Sequence, residues 1–326
     1  MSTKKQHYIP RMLLKRFTTF HIPMRKPLIY QYDKEKGIER LVDIYDICRK
    51  NNLYEIKDAK GRISDKERNL IENGFSRLEF TWNKIIDKIE QGKDINQDDR
   101  DKLVALLVLQ LVRTPEVMEL TSEWLYEKSV DAGKPLTRNE ADRYMKLALF
   151  VWGDVNYEEN WMLNILFKKI LFSNVVVIYH SDSNFILNGS RPVLWLKKSV
   201  TDDIDKCTWY LPVAKNYCIG LVNKATALYE NIGAKEIRCI NIQNFWNDGR
   251  FVYGNGPILN LIGCKIDNVL LDRLKEVIVD TKISLRNSLL MPSYLRLLCS
   301  LYSRCDNIYS KLAYCRIMIR KKAIDN

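Results

Sequence analysis

Residues 174–188, NVVVIYHSDSNFILN, are where the chain changes its hydrophobic period. Val175-Val176-Val177-Ile178-Tyr179 is a short β-branched run, and Phe185-Ile186-Leu187 is a second beyond a polar turn, which is the pattern of buried strands. Moving toward the C-terminus, residues 193–196, 208–211, 217–222 and 236–240 extend the β reading. Residues 241–247 and 269–282 then return to helical spacing. Moving toward the N-terminus, helices dominate. Ser64 followed by Glu67 has the form of a capping box, and Ile71, Phe75, Leu78, Trp82, Ile85 and Ile89 recur at alternating spacings of four and three. Gln91-Gly92 closes that helix, Asn96 opens the next, and Arg113-Thr114-Pro115 breaks it, with further helices expected over 137–152 and 157–172. The first sixty residues carry β-like pieces at 28–32 and 53–56, separated by the DKEKG turn at 33–37. These patterns predict an α+β protein with a helical N-terminal half, a central mostly antiparallel sheet and a helical basic C-terminal tail. Residues 1–282 read as one α+β domain, helical over 64–172 and sheet-rich over 173–262, and 283–326 as the tail.

The chain has 326 residues, 46% hydrophobic and 28% charged, a composition that excludes disordered and low-complexity classes. Its longest apolar run, residues 103–112, is half the length a bilayer-crossing helix needs. Such a segment, with no wet face, belongs inside a core. The formal charge is +12, and its placement says more than its size. Residues 1–32 hold seven Lys or Arg and no acid, and residues 282–326 hold nine against two acids, leaving a near-neutral middle of −2. Two basic ends favour a polyanion such as nucleic acid, through counterion release and Coulomb steering, or they simply solubilise the chain.

Eight cysteines without a CxxC pair, and no hydrophobic leader ahead of them, are expected to be reduced thiols of a cytoplasmic protein. Three histidines and no HExxH spacing give no reason to expect a metal or another cofactor.

Three clusters could carry chemistry. The first is His7-Tyr8-Ile9-Pro10-Arg11, which sets a group titrating near neutrality, a hydroxyl and a guanidinium within five residues, a combination suited to acid–base work on a phosphodiester. The same residues would also suit a terminal strand entering a short helix, with Arg11 merely solvated. The second cluster lies on helices. Glu72 and Glu79 point within about 20° of each other on the flank of the apolar stripe. On the wholly apolar helix, Gln110 and Arg113 are the polar interruptions, and a buried guanidinium demands a carboxylate, for which Glu79 or Glu72 is the nearest candidate. A buried pair of this kind can be purely structural. The third cluster is Asn188-Gly189-Ser190-Arg191-Pro192, a turn at a strand end, where a rigid sheet could present Asn188, Ser190 and Arg191 to a ligand.

Taken together these motifs resemble the domain-of-unknown-function family numbered 4238. The resemblance is carried by QHYIPRMLLKRF at the start, Glu72 and Glu79, LQLVRTP at 109–115, FILNGSRPV at 185–193, YLPVAKNYCIGL, and NIQNFWNDGRFVYGN at 241–255, over about residues 6–280. The family's hallmarks are HYIP and DNP, many members are bacterial, and the resemblance implies no established activity. It carries over His7, Tyr8, Pro10 and Arg11 from the first motif and Gln110, Arg113 and Pro115 from the helical one. Where the family places Asp-Asn-Pro, this chain has Ser190-Arg191-Pro192. Either the chemistry does not need that acid, or this member has lost activity.

The expected enzyme is a metal-independent nuclease or phosphodiesterase of a bacterial defence or toxin type. Its catalytic set would be His7, Tyr8, Arg11, Glu79 and Arg113, with Gln110, Asn188, Ser190, Arg191 and Glu72 against the substrate. The alternative is a non-catalytic module that binds nucleic acid, a nucleotide or a partner protein through the same arginines. A metal-dependent site on His7, Glu72 and Glu79 fits less well, because such sites use more carboxylates at short range. The tail adds a seam of Leu298, Leu301, Cys305, Ile308, Leu312, Cys315 and Ile319, spaced for a helix that either packs on the body or docks a partner or nucleic acid.

Overall fold

The computed structural model describes residues 5–19, 26–58, 60–63, 67–150, 175–196, 208–247 and 249–263. Expectations for Ser64, the 157–172 and 269–282 helices and the basic tail with its 298–319 seam lie outside the described residues.

The protein mixes helices with mainly antiparallel sheets. A two-stranded ribbon pairs β1 (Lys5–His7) with β4 (Arg49–Asn51). A four-stranded sheet runs β3 (Ile38–Asp43), β2 (Leu28–Asp33), β11 (Phe251–Gly254), β6 (Ile186–Asn188), all antiparallel. A five-stranded sheet runs β10 (Tyr229–Asn231), β5 (Val175–His180), β9 (Tyr217–Val222), β8 (Thr208–Ala214), β7 (Leu194–Leu196), with β10 and β5 parallel and the rest antiparallel. The helices are α1 (Arg11–Lys15), α2 (Leu70–Glu90), α3 (Gln97–Val112), α4 (Pro115–Asp131), α5 (Arg138–Phe150), α6 (Ala234–Trp246) and α7 (Ile258–Ile262). No described helix is long and apolar enough to cross a membrane.

Helices α2 to α4 follow from local chemistry. Gly92 at φ +64 ends α2, the side chain of Asn96 accepts from the Asp99 amide at 2.8 Å to open α3, and Pro115 sits in the first turn of α4, where its missing N–H costs nothing. The α3 run is buried through Leu103, Val104, Leu106 to Gln110 and Val112, against Ile71, Phe75, Trp82, Ile85 and Ile89 of α2 within one continuous core. The DKEKG stretch is the β2–β3 turn: the Asp33 carboxylate accepts from the amides of Glu35 and Lys36, and Gly37 takes φ +66.

Four expectations are corrected. The N-terminal half is not helical throughout, because the described residues of its first third form β1 to β4 and the short helix α1. Among the described residues the strands form two sheets and a ribbon rather than one central sheet, since β2 pairs with β11, more than two hundred residues later in the chain. Residues 53–56 form a buried turn rather than a strand, with β4 ending at Asn51. Residues 236–240 belong to α6. The helix read over 241–247 thus begins seven residues earlier, at Ala234, and its buried face is Ile237, Ile240, Asn241, Asn244 and Phe245. The two asparagines are buried because they bond the sheet: Asn241 Oδ1 accepts from the Ile186 amide at 3.0 Å, and Asn244 Nδ2 donates to the Ile186 carbonyl. Lys34, 1% exposed, closes the other end of α6 by donating to the carbonyls of Phe245 and Asn247.

Candidate functional site

The ribbon β1–β4 sets His7 opposite Arg49 and hands the chain on to α1, where Arg11 is exposed and lies over the Tyr45 ring. Behind it, α3 ends at Val112 inside the core, so Arg113 at its C-cap has nowhere to go but inward. Its guanidinium is 1% exposed, stacks on Phe75 at 4.3 Å, and donates from Nη1 to Glu79 at 3.0 Å, from Nη2 to the His7 carbonyl at 2.7 Å and from Nε to the Tyr54 hydroxyl at 3.2 Å. Burial opposes its charge, but Tyr54 and Glu79 outweigh that and hold the guanidinium above its usual range. With its three nitrogens engaged, Arg113 is an anchor for β1 more than an open phosphate receptor.

His7 is held at both ends. Its main-chain oxygen takes Arg113, its imidazole donates to the Ile44 carbonyl, and Nε2 is buried without a partner. Burial first, then Arg11, Arg49 and Arg113, lower its pKa to about 4, so at neutral pH the ring is uncharged with a bare Nε2. Glu72 stands on the face of α2 that carries Phe75 and Glu79, and its Oε2 is likewise buried and unpartnered. Burial raises its pKa to about 7; Glu79 and Glu55 push the same way, against Arg113 and Arg11.

Tyr8 and Gln110 fasten the same segment. Gln110, fully buried, donates to the Tyr8 carbonyl at 3.1 Å, and the Tyr8 amide donates to the Cys48 carbonyl at 2.9 Å. The Tyr8 phenol meets the Cys48 thiol, and burial raises it far out of titration range, so it stays a hydroxyl. Cys48 adopts φ +49, a conformation uncommon outside glycine and asparagine, and its thiol is pushed up to about 12 by burial between Tyr8 and Tyr253.

The 188–192 turn reaches this cluster through Glu116 in the first turn of α4. Ser190 bonds the Glu116 carboxyl, Arg191 and Lys50 lie within its field, and Glu116 in turn raises the Tyr8 phenol. Burial is the main cause of the upward shift of Glu116 itself. Asn188, expected at the ligand, is committed to the fold: Oδ1 accepts from the amides of Ser190 and Arg191, and Nδ2 donates to the carbonyls of Asn244 and Asn247. The structure thus draws His7, Tyr8, Arg11, Glu72, Glu79, Gln110, Arg113, Ser190 and Arg191 into one neighbourhood, while Asn188 supports it from behind.

Sequence reasoning missed Tyr54, Cys48 and Glu116. Tyr54 and Cys48 sit in an irregular segment without periodicity, and Glu116 read as an ordinary first-turn acid. It also missed Lys146, 4% exposed, which donates to the Glu55 carbonyl and Asp142 beneath a groove of about 330 Å3 between β4, α4 and α5. Among the described residues no group of three or more His, Cys, Asp or Glu is placed to hold a metal ion.

No curated protein and no solved structure matches the chain. The residues that build the site all fall within the stretch 5–256 that matches the family described as Protein of unknown function (DUF4238), a shorter span than the 6–280 expected, and the chain belongs to that family.

Proposed function

We propose that the chain cleaves phosphodiester bonds of nucleic acid by acid–base chemistry, as an enzyme of a bacterial defence or toxin type. The observation that supports this reading is His7: its donation to Ile44 selects the tautomer that leaves Nε2 free, buried and unprotonated at neutral pH, beside exposed Arg11. That is the equipment of a general base next to a phosphate-binding cation. Arg113, tied to Glu79 and Tyr54, positions the His7 backbone and adds positive potential.

A non-catalytic nucleic-acid-binding module is the second reading. It is favoured by the neutral Ser190 bound to Glu116, beside Arg191, where the family places an acid. The two separate with the full-length protein and end-labelled RNA and DNA oligonucleotides. The enzyme reading expects cleavage that His7→Gln removes while the melting temperature holds. Tight binding without any cleavage would leave the module.

A further inference from the structure

The groove between β4, α4 and α5 lies apart from the His7 cluster, and its volume of about 330 Å3 falls in the size range of small-molecule sites. Its walls sort into two ends. Arg138, at the start of α5, reaches back to Tyr126 and Glu123 of α4, and Lys146 follows eight residues later, about 12 Å along the helix.

One end is flat. The Arg138 guanidinium lies over the Tyr126 ring at 4.9 Å and donates from Nη1 to Glu123 at 3.0 Å, while 70% of its side chain stays exposed. A guanidinium held by a ring and a carboxylate, with solvent on its open side, is a plate on which a planar base can stack.

The other end is cationic and recessed. Lys146 is 4% exposed and has three donor protons, of which the Glu55 carbonyl takes one at 3.0 Å and Asp142 a second at 2.9 Å. Lys57 lines the same groove, and among the described residues its side chain has no ion-pair partner. Burial lowers the Lys146 pKa, Asp142 opposes that, and the charge of Lys57 adds to the lowering. The chain beyond Lys57 rests on α5, since a Cβ at Gly61 would lie 3.1 Å from Asn139 Nδ2. An oxyanion between Lys57 and Lys146 would accept the remaining Lys146 proton and relieve the repulsion of two like charges. Three acids also line the groove, but Arg138 holds Glu123 and Lys146 holds Asp142. The third, Glu119, stands with Ser122 between the two ends along α4, where a carboxylate and a hydroxyl suit the hydroxyls of a sugar.

We propose that this groove binds a nucleotide, its base on the Arg138 plate and its phosphates on Lys57 and Lys146. The separation of the two ends suits a chain of phosphates better than a single one. A nucleotide free in solution and one within a strand share this chemistry, and Lys50, beside Arg49 in β4, links the groove to the ribbon that carries His7. The assignment stands independently of the phosphodiesterase reading.

The test is calorimetric titration of the full-length protein with ATP, AMP and inorganic tripolyphosphate, which has the phosphates and no base. ATP is expected to bind more tightly than either of the others. Lys57→Glu should weaken ATP and tripolyphosphate alike, by about tenfold or more. Arg138→Lys keeps the charge and loses the plate, so it should weaken ATP by about tenfold and leave tripolyphosphate unchanged. His7→Gln should bind ATP as the wild type does. Both groove residues are at least partly exposed, and matching melting temperatures confirm that the variants fold. A labelled single-stranded oligonucleotide that ATP displaces assigns the groove to a residue of a strand, and one that ATP leaves bound assigns it to the free nucleotide. No binding of ATP or tripolyphosphate at millimolar concentration, ATP binding untouched by Lys57→Glu and Arg138→Lys, equal weakening of both probes by Arg138→Lys, or loss of ATP binding in His7→Gln would each overturn the inference.

Discussion

The guanidinium of Arg113 donates to the main-chain oxygen of His7 at 2.7 Å, joining positions 106 residues apart. The C-cap of a buried helix thereby fixes the terminal ribbon, and with it the orientation of the imidazole. A side chain that touches His7, Tyr54, Glu79 and Phe75 at once couples stability to the geometry of the site.

Removing Arg113 leaves Glu79 and the His7 carbonyl without their donor, and losing one partner of a buried pair typically costs about 3–5 kcal/mol. Arg62, whose pair with Asp58 is exposed, is the control and should shift the midpoint far less. Denaturant melts of Arg113→Ala and Arg62→Ala check this, and equal midpoints would show that the Arg113 network contributes nothing.

Tyr54→Phe removes the acceptor of Arg113 Nε while keeping the ring contacts with Phe75 and Phe150. An unmet buried donor costs about 1–3 kcal/mol, so the variant should melt earlier than wild type and later than Arg113→Ala. Melting of the two variants side by side gives the order.

The pH dependence has a sign on each side. Glu72 is raised to about 7 in the folded chain, so its contribution is fully present below about 4.5 and is lost as pH rises through 7. His7 is lowered to about 4, so its contribution is present above about 6.5 and is lost as pH falls toward 4. Glu72→Gln should therefore gain stability over wild type at pH 8, with the gain fading by pH 4.5. Unfolding midpoints across that range check it, and a pH-independent difference would show that Glu72 is not held in its protonated form.

Two glycines should respond oppositely to alanine. A Cβ at Gly189 would lie 2.6 Å from the Tyr253 ring and 3.0 Å from the Phe251 carbonyl, so Gly189→Ala should cost about 1–3 kcal/mol and pull Ser190 away from Glu116. At Gly74, inside α2, a Cβ meets nothing within 4 Å, and Gly74→Ala should stabilise by up to about 1 kcal/mol. Thermal melts of both variants supply the signs.

Helices α2 and α3, their caps at Gly92 and Asn96, the break at Pro115 and the strands β5 to β9 were readable because each is written in neighbouring residues: a period, a cap, a missing N–H. The need of Arg113 for a glutamate was readable too, since a buried guanidinium cannot stand alone. What only the tertiary structure decided was partnership. Nothing local tells β2 that its neighbour is β11, or Ser190 that Glu116 will face it. The second half of α6 was readable at 241–247 while its first half read as strand, and no local pattern shows that its two inward asparagines bond β6 and the chain just before it. Tyr54 and Cys48 lie in irregular chain, where no repeat marks the buried side, and their contacts with Arg113, Tyr8 and Tyr253 exist only once distant segments meet. Local chemistry sets which face of each element turns inward, and long-range packing chooses what it meets there.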